Sequence, residues 1–169
     1  MIMAFATLVF FPLLLVYAAF SDLFTMTISN FVSLALIAIF FALALALGMP
    51  AREIGLHTAA GLLVLVLAFF MFARGWIGGG DAKLAAAIAL WVGFDHLADY
   101  SLYAALLGGL LTLFILIMRR HPLPTVLIRQ NWIARLHDQG NGVPYGIALA
   151  VAGLLLYPQT GIWLSAVAH

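Results

Sequence analysis

The sequence predicts an all-α, polytopic membrane protein, a bundle of six transmembrane helices. Hydrophobic residues make up 66% of the 169 residues and charged residues 8%, whereas about a quarter of the residues of a soluble domain are charged. The apolar runs are long and lack the alternation that a β-barrel needs, and only helices and closed barrels satisfy the backbone in lipid. The bilayer is therefore the expected solvent for the whole chain, which we treat as a single domain, residues 1–169.

Six apolar runs are the candidate spans. A span needs about 20 apolar residues, with about 17–25 as the usual range, and five of the runs fall within that range. The fourth run is short, so it is either a re-entrant segment or a full crossing completed by the glycine-rich stretch before it. The runs are Met1 to Phe20, Phe31 to Gly48, Leu56 to Phe72, Lys83 to Phe94, Tyr100 to Met118 and Val143 to Val167.

The distribution of basic residues indicates the orientation. With six crossings, Arg52 is alone on one face, and the other face collects Arg74, Lys83, Arg119, Arg120, Arg129 and Arg135. The positive-inside rule then places the basic face in the cytoplasm and both termini outside. A fourth segment that only dips into the membrane would make this asymmetry weaker, so we prefer six crossings.

The composition excludes several classes of function. Seven basic side chains without a basic block exclude an electrostatic nucleic-acid binder, which must neutralise several phosphates at once. The absence of cysteine excludes disulfides, thiolate metal sites and a cysteine nucleophile. His57, His121, His137 and His169 lie at span ends or in loops, and we assign them no metal. Asp95, His96 and Asp99 fit a solvated turn between the fourth and fifth spans better than a metal site. No cofactor is therefore predicted. A membrane enzyme and a small transporter or channel remain.

Two acids are the candidate chemical groups, because an ionisable residue at membrane depth needs a partner or a function. Asp22 follows the first span, and no basic residue stands between it and Asn30. Asp81 lies in the run GGGDAKL at the start of the fourth span. With six crossings, both carboxyl groups reach the cytoplasmic boundary of the membrane, where they are available to each other.

Two close carboxyl groups in a low dielectric cannot both ionise, so such a pair shares a proton. One can draw a proton from a water that attacks a peptide carbonyl, while the other protonates the carbonyl oxygen. We expect the glycines before Asp81 to adopt positive φ and to let an extended peptide approach. The alternative is structural: Asp81 favours its helix N-terminus, Lys83 snorkels to the headgroups, and Asp22 caps a helix.

Three motifs resemble those of the type IV prepilin peptidases, a family of integral-membrane aspartic proteases. The run GGGDAKL is similar to their GxGD-x-K-L signature. Asp22 with Ile28 and Asn30 resembles their first motif, an aspartate some residues before Ile-Pro-Asn. The Pro-Tyr-Gly element that opens their last span is matched by Pro144, Tyr145 and Gly146.

The resemblance implies that Asp22 and Asp81 form a catalytic dyad that needs no metal or other cofactor. It also implies a prepilin or pseudopilin substrate, cleaved at the cytoplasmic face of the bacterial inner membrane between a basic leader and a hydrophobic helix. The other motif residues are then expected to shape the site or to contact substrate: Gly78, Gly80, Lys83, Asn30, Pro144, Tyr145 and Gly146. Pro144 fits equally a structural place in the first turn of the last helix.

The chain resembles most the short TadV/CpaA-type subfamily, which processes the prepilins of Flp-type pili. It has neither the methyltransferase region nor the cysteine-rich metal motif of the long prepilin peptidases. Ser29 stands where a proline is expected, and Thr25 and Thr27 stand where basic residues are usual. These departures leave the shape of that loop and its contacts with the leader open.

Two other functions fit part of the sequence. A presenilin-like or signal-peptide-peptidase-like protease also carries GxGD, but expects its first aspartate inside a later span in a Tyr-Asp setting, unlike Asp22. A small proton- or cation-coupled transporter would use Asp81 near broken helices and would show an internal repeat, which is not evident. No sequence feature predicts the oligomeric state.

Overall fold

The computed structural model describes residues 2–167, and most of these are helical. No strand forms within that range, so the all-α prediction is confirmed. A 3₁₀ turn at Tyr157–Gln159 separates the last two helices. The helices are α1 (Ile2–Thr25), α2 (Asn30–Ala46), α3 (Ala51–Ala73), α4 (Gly79–Arg119), α5 (Thr125–Ile128), α6 (Asn131–His137), α7 (Gly146–Leu156) and α8 (Gly161–Val167).

The lengths and composition of the helices are those of a membrane protein. Among the described residues, α3 and α4 are each long and apolar enough to cross a bilayer. A third candidate span is the pair Gly146–Gln159 and Gly161–Val167, bent by 50°. Two shorter apolar helices, Val9–Thr25 and Asn30–Ala46, accompany them. Helix length therefore gives two or three spans, fewer than the six predicted from the apolar runs.

The fourth and fifth predicted spans are joined in α4, which breaks at one residue, Gly93. This glycine has φ 65° and ψ −176°, outside the helical region. The sequence analysis placed a turn between two spans there, and the structure corrects this, because helix resumes directly after Gly93. The former turn residues Asp95, His96 and Asp99 are therefore helical.

The chain reverses direction at this break. A Cβ on Gly80 would lie 3.1 Å from Ile28, and a Cβ on Gly146 would lie 2.6 Å from the same side chain. The neighbouring Tyr145 donates its hydroxyl to the carbonyl oxygen of Ala104 at 3.1 Å. A straight helix would separate Ala104 from Gly80 by about 36 Å, at 1.5 Å per residue. The two arms of α4, residues 79–92 and 94–119, must therefore pack side by side in antiparallel orientation.

His57 of α3 packs into the break. Its Nδ1 lies 2.8 Å from the carbonyl oxygen of Leu90. In an unbroken helix this oxygen would accept the N–H of the residue four positions later, but that residue follows the break. The imidazole occupies the space beside Gly93, where a Cβ would lie 2.8 Å from Cε1. We therefore interpret His57 as a residue that stabilises the reversal.

We expect Gly93→Ala to destabilise the protein more than Gly75→Ala. Both glycines have positive φ, 65° and 74°, which costs a residue with a Cβ roughly 1–2 kcal/mol. Gly75 has open space around it, whereas a methyl group on Gly93 would also meet the imidazole of His57. The melting temperatures of the two variants in one detergent measure the difference, and equal losses would contradict the role of this contact.

An aromatic cluster in the core fixes the first arm of α4. The indole N–H of Trp91 donates to the carbonyl oxygen of Leu36 at 3.0 Å. The Trp91 ring lies 4.6 Å from that of Phe11, 5.7 Å from that of Phe40 and 5.9 Å from that of Tyr157. Residues 79–92 are thus held between α1, α2 and the 3₁₀ turn, and they carry Asp81 at their free end.

The loop after α4 is folded onto the end of α1. Arg135 of α6 donates to the carbonyl oxygen of Phe24 at 2.8 Å, and the Trp132 ring packs edge-on against the Phe24 ring. Arg119 ends α4, and its guanidinium donates to three backbone carbonyls of the loop, those of Leu136, Asn141 and Gly142. These contacts fix the segment that leads into α7.

Candidate active site

The candidate site lies where α1 ends and α4 begins. Asp22 is in the last turn of α1 and is 5% exposed. The sequence analysis placed it after the first span, but the helix continues to Thr25 and includes it. Asp81 is the third residue of α4, and its carboxyl group is close enough to that of Asp22 for their charges to repel. The two acids that the sequence predicts as a pair are therefore neighbours.

The backbone amide of Gly146 connects the two acids to α7. Its N–H donates to Oδ2 of Asp22 at 2.8 Å, and it also interacts with the carboxyl group of Asp81. Gly146 is the first residue of α7, so this N–H is one that a helix leaves without an internal partner. Asp22 thus accepts the first N–H of a distant helix, α7, which agrees with the structural alternative that it caps a helix.

The two carboxyl oxygens of Asp81 have different surroundings. The carboxyl group interacts with the backbone N–H of Gly78, the N-cap of α4, and Oδ2 is the oxygen on the Gly78 side. This contact matches the structural alternative for Asp81. Its Oδ1, however, is buried and has no hydrogen-bond partner within the described part of the chain. Since a buried polar atom without a partner is costly, this oxygen is available for a substrate or a water.

Ile28 fills the space between the helices that carry the site. A Cβ on Gly80 would lie 3.1 Å from Ile28 Cβ. A Cβ on Gly146 would lie 2.6 Å from Ile28 Cδ1 and 2.8 Å from Oδ2 of Asp22. Both glycines therefore permit α4 and α7 to approach the turn after α1. The sequence analysis included Ile28 in a motif but gave it no role.

The prediction that the triglycine adopts positive φ is wrong. Gly78 has φ −72° and ψ 148°, and Gly79 and Gly80 lie in the first turn of α4. A Cβ on Gly79 would lie 3.3 Å from the ring of Phe72. Gly79 and Gly80 therefore allow the start of α4 to pack closely against Phe72 and Ile28. Within residues 2–167, the glycines with positive φ are Gly48, Gly75 and Gly93.

The turn between α1 and α2 contains the departures from the family motif. Met26 has φ 55°, a left-handed conformation that commonly ends a helix. Ser29 is the N-cap of α2, and its hydroxyl accepts the N–H of Phe31 at 3.2 Å. The hydroxyls of Thr25 and Thr27 lie 2.7 Å apart. The serine in place of the motif proline thus starts α2 by a side-chain cap.

Lys83 and Asn30 meet beside the acids. The ammonium group of Lys83 donates to the amide oxygen of Asn30 at 2.8 Å, which ties α4 to the first residue of α2. Because the partner is a neutral amide, this contact leaves the positive charge of Lys83 uncompensated.

Tyr145 positions the start of α7. Pro144 before it is buried, and the ring of Tyr145 lies against Gly108 in the second arm of α4, where a Cβ would overlap the ring. The Tyr145 hydroxyl donates to the carbonyl oxygen of Ala104 in the same arm. This anchor holds the following N–H, that of Gly146, in place.

Three further residues near the site were not assigned there by the sequence analysis. Gly108 stands in an apolar run in which nothing marks it as a contact of Tyr145. Arg119 was interpreted as a determinant of topology, although its guanidinium also holds the loop before α7. Tyr100 is 2% exposed, its hydroxyl has no hydrogen-bond partner among the described residues, and it lies in electrostatic range of Asp81.

The groups assembled here are those of proton transfer. Two carboxyl groups lie within electrostatic range of each other, and one of them accepts the backbone N–H of Gly146. No cluster of three or more His, Asp or Glu side chains occurs in the part of the chain that the structure describes. Such an arrangement can hold a proton, release it and take it back.

Comparison with known proteins identifies the family. The family model described as the type IV leader peptidase family matches residues 9–113, more than half of the chain. The matched segment contains Asp22, the turn before α2, and Asp81. No curated protein and no solved structure gives a significant match.

Proposed function

Since the chain belongs to the type IV leader peptidase family, we propose that it is an aspartic endopeptidase that removes the basic leader from Flp-type prepilins. The observation that carries the proposal is the proximity of the buried carboxyl groups of Asp22 and Asp81 at the N-terminus of α7, where Asp22 accepts the N–H of Gly146. The resemblance to the TadV/CpaA-type subfamily is the reason for proposing an Flp-type substrate.

The proposed mechanism uses one carboxylate as a base and one carboxyl as an acid. The N–H of Gly146 donates to Oδ2 of Asp22 at 2.8 Å and stabilises negative charge there, whereas Oδ1 of Asp81 has no hydrogen-bond partner among the described residues. We therefore assign the base to Asp22 and the acid to Asp81. Asp22 takes a proton from the water that attacks the scissile carbonyl carbon, while Asp81 Oδ1 gives its proton to the carbonyl oxygen. The C–N bond then breaks, the amine takes the proton from Asp22, and the hydroxyl proton returns to Asp81.

We place the site at the cytoplasmic boundary of the bacterial inner membrane. The reversal at Gly93 makes six crossings possible, with the two arms of α4 as separate crossings. Lys83, Arg119 and Arg135 lie at the dyad end of the bundle, whereas Arg52 lies in the first turn of α3 at the other end. The positive-inside rule then favours this orientation. The predicted exterior position of the termini concerns Met1 and His169, which lie outside the described residues.

Cysteine labelling tests this topology. The chain has no cysteine, so each single variant carries one reactive thiol. We expect an impermeant maleimide to label Arg52→Cys in intact cells, and Arg129→Cys only after the cells are permeabilised. Labelling of position 129 but not 52 in intact cells would overturn the orientation.

The activity is tested with detergent-solubilised protein and an Flp-type prepilin. Mass spectrometry should detect a cut between the basic leader and the hydrophobic segment. A conventional type IV prepilin in a parallel reaction tests the proposed subclass, and we expect it to be cleaved more slowly. Failure to cleave either prepilin by folded protein would overturn the proposed function.

We expect Gly80→Val to lose most of this activity. The branched side chain would begin 3.1 Å from Ile28 Cβ and would push Asp81 away from Asp22. Gly79→Ala is the matched control, because its methyl group meets the edge of the Phe72 ring, which can turn aside. Cleavage rates are measured beside the yield of folded protein. Equal tolerance of valine at positions 78, 79 and 80, or a loss that only follows folding, would contradict the expectation.

A further inference from the structure

A groove opens beside the dyad, between α2, α3 and the first arm of α4. Its volume is about 520 Å³. Asn30, Ser33 and Lys83 line one end. The other polar residue of the wall, Thr58, already donates its hydroxyl to the carbonyl oxygen of Ile54. The rest of its wall is largely apolar and includes Ile37, Phe41, Leu62, Leu65, Ala86 and Leu90. The groove therefore suits a molecule with a polar head and an apolar chain.

Ser33 gives the groove an unused hydrogen-bonding group. The residue is 5% exposed, and its hydroxyl is buried without a hydrogen-bond partner among the residues that the structure describes. It lies three residues after Asn30 on α2, which is about 4.5 Å further along the helix axis. A buried hydroxyl without a partner is costly, so a ligand that accepts this hydrogen bond gains affinity.

Lys83 supplies a positive charge at the mouth of the same groove. Its ammonium group donates to the amide oxygen of Asn30, which does not neutralise the charge. The ammonium retains further N–H donors, since it carries three. The mouth is therefore complementary to an anion at the level of the headgroups.

The length of the groove matches one leaflet of a bilayer. Asn30 and Phe41 are eleven residues apart on α2, or about 16 Å at 1.5 Å per residue. Half of the hydrocarbon core of a bilayer is about 15 Å. An acyl chain that spans one leaflet therefore matches the groove in length.

We propose that the groove binds one anionic phospholipid from the leaflet at the dyad end. Its phosphate contacts Lys83 and Asn30, an ester carbonyl accepts the hydroxyl of Ser33, and one acyl chain follows α2 to Phe41. The lipid then lies against α4 two residues from Asp81 and closes the side of the site toward the bilayer. This inference follows from the groove itself and does not require that the protein be a peptidase.

Native mass spectrometry of the full chain tests the proposal, with phosphatidylglycerol and phosphatidylcholine as the probes. We expect the protein to retain one phosphatidylglycerol through delipidation and to prefer it over phosphatidylcholine. Lys83→Gln should weaken phosphatidylglycerol binding about five-fold and remove the preference, since one basic residue near the surface contributes about that much. Ser33→Ala should weaken both lipids several-fold while the preference remains.

Two matched variants serve as controls. Arg74→Gln removes a basic residue that does not line the groove, and Ser101→Ala removes a hydroxyl that already donates to Leu97. Both should bind lipid as the unaltered chain does. Equal retention of the two lipids by the unaltered chain, or equal effects of Arg74→Gln and Lys83→Gln, would overturn the proposal. A photo-crosslinker at Ile37 that reacts with a prepilin and not with lipid would also overturn it.

Discussion

Asp22→Asn and Asp81→Asn are each expected to reduce the rate of prepilin cleavage by roughly 10⁴-fold or more, as is usual for groups that act as a catalytic unit. Asparagine cannot take up or release the proton that the proposed mechanism moves. At position 22 its amide oxygen can still accept the N–H of Gly146, so the contact between α1 and α7 need not be lost. The double variant should be no slower than either single variant.

Single-turnover cleavage, followed by mass spectrometry, measures these losses. Asp95→Asn is the matched control, because Asp95 is an exposed acid that follows the break in α4 at the other end of the bundle. It should leave the rate unchanged. Gel filtration in detergent checks that all variants are folded. Substantial activity in either dyad variant would rule out the proposed dyad.

The two acids could be predicted from the sequence because charge is rare in this chain. Each acid at a span end needs an explanation in lipid, and the motifs around Asp22 and Asp81 supply one. The N–H of Gly146, which joins them, is a backbone group and leaves no mark in the sequence except the glycine. A glycine indicates that a side chain is absent, without indicating which neighbour requires the space.

That ambiguity explains the wrong prediction for the triglycine. A run of glycines fits a flexible loop with positive φ as well as a helix start under close packing, and the sequence does not distinguish them. In the structure, the side chain that occupies the space next to Gly80 is Ile28, 52 residues earlier in the chain. A contact over such a distance depends on the tertiary fold.

The break in α4 illustrates the same limit for the fold. The apolar run is interrupted near Asp95 and His96, and this favoured a turn of several residues. The reversal in fact takes one residue, Gly93, because the imidazole of His57 binds the carbonyl oxygen of Leu90 beside it. The sequence predicts that the chain turns, whereas the geometry of the turn depends on a histidine of another helix.

Among the glycine-to-alanine substitutions considered, Gly108→Ala is expected to cause the largest loss of stability, together with a loss of cleavage. Its methyl group would overlap the ring of Tyr145, and overpacking of this kind costs about 1–3 kcal/mol. A displaced ring loses its hydrogen bond to Ala104 and shifts the next residue, Gly146, whose N–H binds Asp22. We therefore expect cleavage to fall together with a lower melting temperature.

Gly109→Ala is the matched control for this substitution. Gly109 is exposed, with open space where a Cβ would lie, so alanine there should be neutral or stabilise the helix by up to about 1 kcal/mol. Adding Tyr145→Ala to Gly108→Ala removes the overlap, so the double variant should be more stable than the sum of the single effects predicts. Equal behaviour of Gly108→Ala and Gly109→Ala would contradict this role of Tyr145. Recovery of stability without cleavage in the double variant would fit the proposal that the Tyr145 ring holds the Gly146 amide against Asp22.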